Sequence, residues 1–343
     1  MRLSTKARQR LALLGFAVGG RAGALYPIEA EVPLDLAARQ VEIPIPSYYR
    51  RRALHSSIYP PPSAKTPSCQ LTAPSVAILN DRLYIEGGEI TQFVDGNPDP
   101  GPNNSRPVNT TVSLPLATPW TNATVQLTAM AQHPNPQLKN FALWTDPATK
   151  TLVSWGGEGP YGNTSGARNK TVWTFTPDGG GGGGGGAWAT RGPANPETFL
   201  AVSRNTQGAQ AVCRGKGYYV GGWAGPATDA NVRRNTPTPG MVVYDLAAGS
   251  WANETAPPVM MTLQEGEAHC VPFGGGGVLA VLGGIYSSPT DYVATRQVSM
   301  NEVHIYDPGK REWYTQPTTG DIPDQRVFFC SAGVQGKNGT YEM

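Results

Sequence analysis

Two glutamates in this sequence stand where carboxylates could do chemistry. Glu89 follows the glycine pair Gly87–Gly88, and Glu158 follows the similar pair Gly156–Gly157. If the pairs are equivalent, both carboxylates lie on one face of successive repeats, and carboxylates about 5–10 Å apart can hydrolyse glycosides. Glutamates duplicated with a repeat are more often loop anchors. We therefore favour a non-catalytic role and keep a carboxylate-based glycoside hydrolase as an alternative.

The residues that commonly bind metals are scattered. The four histidines are His55, His133, His269 and His304, and no two of them share the spacing of a metal site. The sequence contains no H-x-E and no C-x-x-C motif, and no G-x-S-x-G elbow for a serine nucleophile. We therefore predict no cofactor.

Eight consecutive glycines, Gly179–Gly186, raise the question of a phosphate-binding loop. No Gly-Lys-Ser/Thr follows and no helix opens after the run, so no helix N-terminus is available for a phosphate. The run separates Phe175 from Trp188, whereas a tyrosine and a tryptophan are seven residues apart in Tyr244–Trp251 and Tyr306–Trp313. We interpret the run as a six-residue expansion of a β-hairpin turn with a disordered tip, because lengthening a surface loop costs only about 0.6 kcal/mol per doubling.

The glycine pairs and tryptophans belong to a repeat that covers most of the chain. Four apolar segments end in glycine pairs that are 69, 65 and 62 residues apart, and a tryptophan follows each pair after 29 to 32 residues. These residues are Gly87–Gly88, Gly156–Gly157, Gly221–Gly222, Gly283–Gly284, Trp120, Trp188, Trp251 and Trp313. Regular spacing on this scale predicts a repeat architecture. The glycines would allow backbones of neighbouring repeats to approach, and the aromatic rings would fill the space between them.

Three cysteines have a similar spacing. Cys213, Cys270 and Cys330 are 57 and 60 residues apart, and each is expected to open the strand before a glycine-pair strand. If the strands that carry these cysteines diverge from a common central axis, their Cα atoms lie farther apart than the roughly 7 Å limit for a disulfide. We therefore predict that the three cysteines are buried thiols. The last of these stretches reaches Met343 before a fifth glycine pair.

A strand that ends in a glycine pair, followed by a tyrosine and a tryptophan at fixed separations, resembles the kelch repeat. One kelch unit is a four-stranded blade of a β-propeller. The resemblance covers about residues 70–343 and is similar to secreted fungal kelch proteins that are grouped with the galactose oxidase central domain. It implies an all-β, kelch-type propeller of four full repeats plus the start of a fifth. Such a ring is incomplete unless the N-terminal segment closes it.

The same resemblance implies a second alternative function. An extracellular galactose oxidase-like oxidoreductase would use a copper–radical site of two tyrosines, two histidines and a cysteine bonded to one tyrosine. Cys270 with Tyr286 could supply part of that set, but no two histidines stand at positions that complete it.

The segments after the glycine pairs would emerge together on one face of a propeller. They mix aromatic residues with Asn, Asp and Ser, and surfaces of this kind suit protein or glycan partners. We favour a secreted, non-catalytic protein that presents these loops for binding. The contacts are assigned to Glu89, Glu158, Tyr161, Trp223 and Tyr286.

The N-terminus is typical of a secretory signal peptide. Lys6, Arg8 and Arg10 precede an apolar stretch, and residues 22–24 are small enough for cleavage. We predict a signal peptide at 1–24, an irregular proline-rich segment at 25–68 and the propeller at 69–343. Seven N-x-S/T sequons support a secreted or cell-surface location. They lie at Asn103, Asn109, Asn122, Asn163, Asn169, Asn253 and Asn338.

The composition argues against two classes of partner. The net charge is +2 and charged residues make up 15% of the chain, so a clustered basic face for nucleic acid is not expected. After the N-terminus, no stretch approaches the roughly 20 apolar residues of a membrane span. The 42 glycines and 32 prolines favour turns over long helices, as an all-β fold requires.

Overall fold

The computed structural model of the 343-residue chain describes residues 69–94, 97–98, 104–121, 124–134, 138–160, 170–181, 184–336 and 339–343. The predicted signal peptide and the segment 25–68 lie outside the described residues. About half of the described residues lie in β-strands, and there are two short helices among them, α1 (Pro196–Ala201) and α2 (Pro258–Met261). None of the described helices has the length and apolar character needed to cross a membrane.

Four successive four-stranded sheets carry the fold, and each is antiparallel with its strands in chain order. With all strands numbered in chain order, sheet 1 consists of β2 (Ser75–Leu79), β3 (Arg82–Glu86), β7 (Thr110–Pro115) and β8 (Thr128–Gln132). Sheet 2 consists of β9 (Lys139–Asp146), β10 (Thr151–Glu158), β11 (Val172–Pro177) and β12 (Gly186–Arg191). Sheet 3 consists of β13 (Ala209–Cys213), β14 (Lys216–Val220), β17 (Met241–Asp245) and β18 (Trp251–Glu254). Sheet 4 consists of β19 (Glu267–Val271), β20 (Val278–Leu282), β23 (Glu302–Asp307) and β24 (Glu312–Pro317). The all-β prediction and the four-stranded unit are confirmed.

Further strands follow three of the glycine pairs. β4 (Glu89–Val94) pairs with β1 (Cys69–Thr72), β5 (Asn97–Pro98) and β6 (Ser105–Pro107); β15 (Trp223–Ala224) pairs with β16 (Thr236–Pro237); β21 (Ile285–Ser288) pairs with β22 (Asp291–Gln297). Because β3, β14 and β20 each end at a glycine pair, these hairpins all leave the sheets at the same end. We call it the glycine-pair end.

The glycine pairs join each sheet to the next unit along the chain, as predicted. The N–H of Gly88 donates to Leu138 O at 2.8 Å, and the N–H of Gly157 donates to Asn205 O at 2.8 Å. Gly157 has φ +83°, which disfavours a side chain, and a Cβ on Gly156 would lie 2.6 Å from the oxygen of Asn205. Only glycine therefore permits this backbone approach.

The aromatic side chains of the repeats lie in the core between the sheets. In the hairpins, Phe175 pairs directly with Trp188, Tyr244 with Trp251 and Tyr306 with Trp313. Trp251 is buried between sheets 2 and 3, whereas Trp188 and Trp313 are half-buried. Trp120 departs from the pattern, because it lies in the loop 116–127 rather than in a hairpin strand.

The glycine run lies in the hairpin between β11 and β12, as predicted. Pro177 pairs with Gly186, so the strands continue to the base of the loop. Residues Asp178–Gly181 form a 3₁₀ turn where we expected a disordered tip, and residues 182–183 lie outside the described part.

The cysteine prediction was wrong. Cys213 and Cys270 form a disulfide with a Cα–Cα distance of 5.2 Å, while Cys330 is an exposed thiol. The inner strands β13 and β19 pack against each other instead of diverging, which brings the two cysteines within bonding distance. The bond therefore links sheets 3 and 4.

Residues 326–329 occupy the place of a fifth unit. The N–H of Gly284 donates to Arg326 O at 2.8 Å, which matches the bond from Gly88 to Leu138. Phe329 lies against Gly283 as Phe141 lies against Gly87. These residues are not a strand, and the described residues after them form the short hairpin of β25 (Val334–Gln335) and β26 (Tyr341–Glu342). The last glycine pair thus contacts the residues after sheet 4 as the first pair contacts the start of sheet 2.

Candidate functional site

A run of backbone hydrogen bonds links the units at the glycine-pair end. The N–H of Asn140 donates to Ala73 O, Gln207 to Asn140 O, Glu265 to Gln207 O and Phe328 to Glu265 O, at 2.8 to 3.3 Å. All five residues have φ between +48° and +60°. That left-handed conformation costs a non-glycine residue about 1–2 kcal/mol, so the inter-sheet contacts must hold it in place. The run sets side chains from successive units beside one another.

The two glutamates predicted from the sequence lie in this region, and both are buried. The Nζ of Lys139 lies 3.2 Å from Oε1 of Glu89, a salt bridge between sheet 2 and the segment after sheet 1. Oε1 of Glu158 accepts a hydrogen bond from Asn140 Nδ2 at 2.9 Å and one from Gln207 Nε2 at 3.4 Å. Glu89 and Glu158 are thus anchored to neighbouring sheets, as the loop-anchor reading of them expects.

Burial favours the neutral form of two carboxyls in this cluster, those of Glu158 and Glu265. Burial raises the pKa of Glu158, as does the nearby charge of Glu89, while Lys139 and the two amide donors lower it. Burial, and then the charge of Glu158, raises the pKa of Glu265 to about 7. Lys139 thus acts on Glu89 and Glu158, while Glu265, beside Glu158, gains its negative charge as the pH rises through about 7.

The three aromatic residues predicted for binding have different positions. Trp223, on the hairpin strand β15, is only 5% exposed, and its Nε1 donates to Gln207 Oε1 at 2.9 Å, so the ring is buried and bonded to the cluster around Glu158. Tyr286 is half-buried and packs against the core between sheets 3 and 4. Tyr161 lies outside the described residues.

Four arginines are exposed on the described hairpins at this end. Arg106 lies on β6, Arg233 and Arg234 precede β16, and Arg296 lies on β22. Since β16 packs against β22, the last three arginines belong to adjacent hairpins. The described part of the glycine-pair end thus has buried glutamates beneath the hairpins and exposed arginines on the hairpins. We call these four arginines the rim.

The structure describes only some of the remaining predicted sites. Asn253 is exposed on the outer strand β18, and Asn109 is half-buried before β7. The other five sequons lie outside the described residues. Among the described residues, no group of three or more His, Cys, Asp or Glu side chains could hold a metal ion. Cys270 is bonded to Cys213 and is therefore not joined to Tyr286.

Sequence reasoning missed Lys139, Asn140 and Gln207. Asn140 and Gln207 are 67 residues apart, as are Ala73 and Asn140, so these residues repeat at a regular interval in the sequence. The five left-handed residues share no chemical type, however, and nothing in their identity marks the conformation. Their equivalence becomes visible only through the backbone bonds.

Comparison with known proteins gives one informative match. The chain is 22% identical, over 310 residues, to a kelch repeat-containing protein of the fungus Arthroderma benhamiae. The match covers 81% of this chain and 44% of the relative, so the chain spans less than half the length of that protein. No family model matches the chain. The glycine-pair contacts, the four-stranded antiparallel sheets and this match together confirm the resemblance: in sequence and in architecture, the chain is similar to a kelch-repeat protein.

Proposed function

We propose that this chain is a secreted, non-catalytic propeller that binds a protein or glycan partner through the hairpins at its glycine-pair end. The observation that carries the proposal is the shared direction of those hairpins. β4–β6, β15–β16 and β21–β22 all follow glycine pairs and leave the sheets at one end. Loops presented together on a rigid scaffold are the usual place for recognition in β-architectures.

The interactions beneath the hairpins support a binding role over a catalytic one. Glu89 is held by Lys139, and Glu158 by Asn140 and Gln207, so both carboxylates already serve as ties between sheets. A general acid and a nucleophile would need access to a substrate, whereas Glu89 is 2% exposed and Glu158 is 9% exposed. The accessible side chains described at this end include the arginines of the rim.

The experiment compares the two ends of the molecule. The full chain, purified from the medium of a secreting host, is applied to an array of neutral and acidic glycans and to a panel of acidic peptides. The variant Arg233→Gln/Arg234→Gln changes the rim, and Lys150→Gln/Lys216→Gln removes the same charge from the opposite end of sheets 2 and 3. Binding to a retained probe should fall about tenfold in the first variant and less than about twofold in the second.

Two results would count against the proposal. Equal losses in both variants would show that the glycine-pair end is not the binding end and that charge alone attracts the probe. Turnover of a bound glycan, seen as released sugar or as peroxide, would show that the protein is an enzyme.

A further inference from the structure

The inner strands of the sheets show where a neighbour is expected. β9 of sheet 2 packs between β2 and β13, and β13 of sheet 3 packs between β9 and β19. β2 of sheet 1 packs in this way against β9 alone within the described part of the chain. The face of sheet 1 that is turned away from sheet 2, which we call the outer face, therefore has no neighbouring sheet there.

Most of the outer face is nevertheless buried. Leu83, Ile85, Val112 and Leu114 form its apolar cluster, and each is at most 9% exposed. The loop 116–127 covers the cluster with Trp120, Val125 and Leu127. The loop does not extend over the inner strand β2, where Val76 is half-buried and Ile78 is 54% exposed. We call the surface formed by these two residues the uncovered strip.

The chain reaches β2 from this same side. β1 precedes β2 and is held at the glycine-pair end by its pairing with β4. Leu71, on β1, packs against the apolar cluster of the outer face. Residues 1–68 therefore join the described structure at the edge of the uncovered strip, and a segment some 25 residues upstream needs only a short path to reach Ile78.

One stretch of the N-terminal region has suitable chemistry. In "QVEIPIPSYY", residues 40–49, Val41, Ile43 and Ile45 alternate with other residues, so an extended chain would present all three on one face. Pro44 and Pro46 lack an N–H on one edge of such a strand, so the segment cannot be a central strand. It is suited to the margin of a sheet, which is where Val76 and Ile78 lie.

We propose that residues 40–49 dock in extended form on the uncovered strip of the outer face, with Val41, Ile43 and Ile45 against Val76 and Ile78. The N-terminal region then belongs to the fold and supplies the neighbour that sheet 1 lacks. This assignment does not depend on what the glycine-pair end binds.

Hydrogen exchange on the unmodified full chain tests the proposal. Amides of residues 41, 43 and 45 should exchange at least about tenfold more slowly than those of residues 34–38, and Ile78→Glu should remove the difference. Val41→Ser/Ile43→Ser/Ile45→Ser should lower the thermal midpoint by about 3 °C or more. The matched variant Leu34→Ser/Leu36→Ser should leave the midpoint unchanged.

Other occupants of the strip give different results. Unprotected amides at residues 41–45, together with an unchanged midpoint in the triple variant, would overturn the proposal. A dimer that Ile78→Glu dissociates, with residues 41–45 still exchanging freely, would assign the strip to a second copy of the chain and would overturn it as well.

Discussion

Sheets 1 and 3 follow the same sequence pattern but bury their faces differently. Sheet 3 lies between two other sheets, with Trp251 packed toward sheet 2 and Met241 toward sheet 4. Within the described part of the chain, sheet 1 has a neighbouring sheet on one face, and its own loop 116–127 covers the other. The difference shows that a long loop within the outer hairpin of a repeat can cover a sheet face that no described sheet covers.

The residue before the glycine pair shows the same contrast. It is Val220 in sheet 3, inside the core, and Glu86 in sheet 1, which is buried and accepts a hydrogen bond from Thr111 at 2.5 Å. The same hydroxyl accepts one from Trp188 Nε1 of sheet 2 at 2.7 Å. Two successive hydrogen bonds between polar side chains thus take the place of an apolar contact between sheets 1 and 2.

The feature that the two sheets share should give the largest effect. Gly222 has φ +88°, and a Cβ there would lie 2.5 Å from Thr206 O; a Cβ on Gly88 would lie 2.6 Å from Thr72 O. Gly222→Ala and Gly88→Ala should each lower the free energy of unfolding by at least about 3 kcal/mol. Denaturant unfolding measures this loss, and an insoluble product would agree with it.

Gly215 is the matched control for both glycine variants. Its φ is +71°, but a Cβ there would have no atom within 4 Å. Gly215→Ala should therefore cost only the conformational strain, about 1 kcal/mol. A loss as large as that of Gly222→Ala would mean that backbone conformation, rather than the close contact with Thr206 O or Thr72 O, explains the need for glycine at positions 222 and 88.

Substituting the tryptophans of the two sheets should show whether the core between sheets and the loop 116–127 contribute differently to stability. The Trp251 ring lies 4.5 Å from Tyr244 and 4.5 Å from Trp155, centroid to centroid, and is 3% exposed. Trp251→Ala should cost about 3–5 kcal/mol of unfolding free energy. Trp120 is half-buried, and Trp120→Ala should cost about half of that. Equal costs in denaturant unfolding would show that the loop is as much a part of the core as sheet 3.

The sequence predicted features that depend on short spacings. A seven-residue interval joins Tyr244 to Trp251 because two strands and a turn fix that number, and the structure pairs the two residues directly. Trp120 follows its glycine pair at a similar distance, but Ser113 stands seven residues before it in place of a tyrosine. The missing aromatic partner was the available sign that Trp120 does not lie on the second strand of a tight hairpin but in the long loop between β7 and β8.

Features that depend on long spacings were predicted less well. The cysteines seemed equivalent by interval, yet Cys213 lies six residues after the left-handed Gln207 and Cys270 lies five after Glu265. Cys330 lies two residues after Phe328, at another level of its unit. Loops of unequal length make chain distance a poor measure of position, so neither the disulfide nor the exposure of Cys330 could be read from spacing. The cluster around Glu158 was only half predicted for the same reason.

The smallest effect concerns the carboxyl in sheet 1 and depends on pH. Burial raises the pKa of Glu86 to about 8, although the hydrogen bond from Thr111 lowers it somewhat. The folded protein therefore keeps a proton on Glu86 up to about pH 8, whereas the unfolded chain releases it near its ordinary pKa of 4.5. The folded state binds more protons between these values, so the stability that the neutral carboxyl contributes is lost as the pH rises from about 4.5 to 8.

Glu86→Gln keeps the acceptor for Thr111 and removes the titration. The thermal midpoint of the variant should fall less between pH 5 and pH 8 than that of the unmodified chain, with the two midpoints closest at pH 5. Some decline should persist in the variant, because burial also raises the pKa of Glu267 to about 8 and that of Glu265 to about 7. Val220→Gln puts an amide at the equivalent position of sheet 3, where no hydroxyl partner exists, and should lower the midpoint by a similar amount at every pH. Parallel profiles for Glu86→Gln and the unmodified chain would mean that Glu86 is ionised in the folded protein, and the contrast drawn between the two sheets at this position would fail.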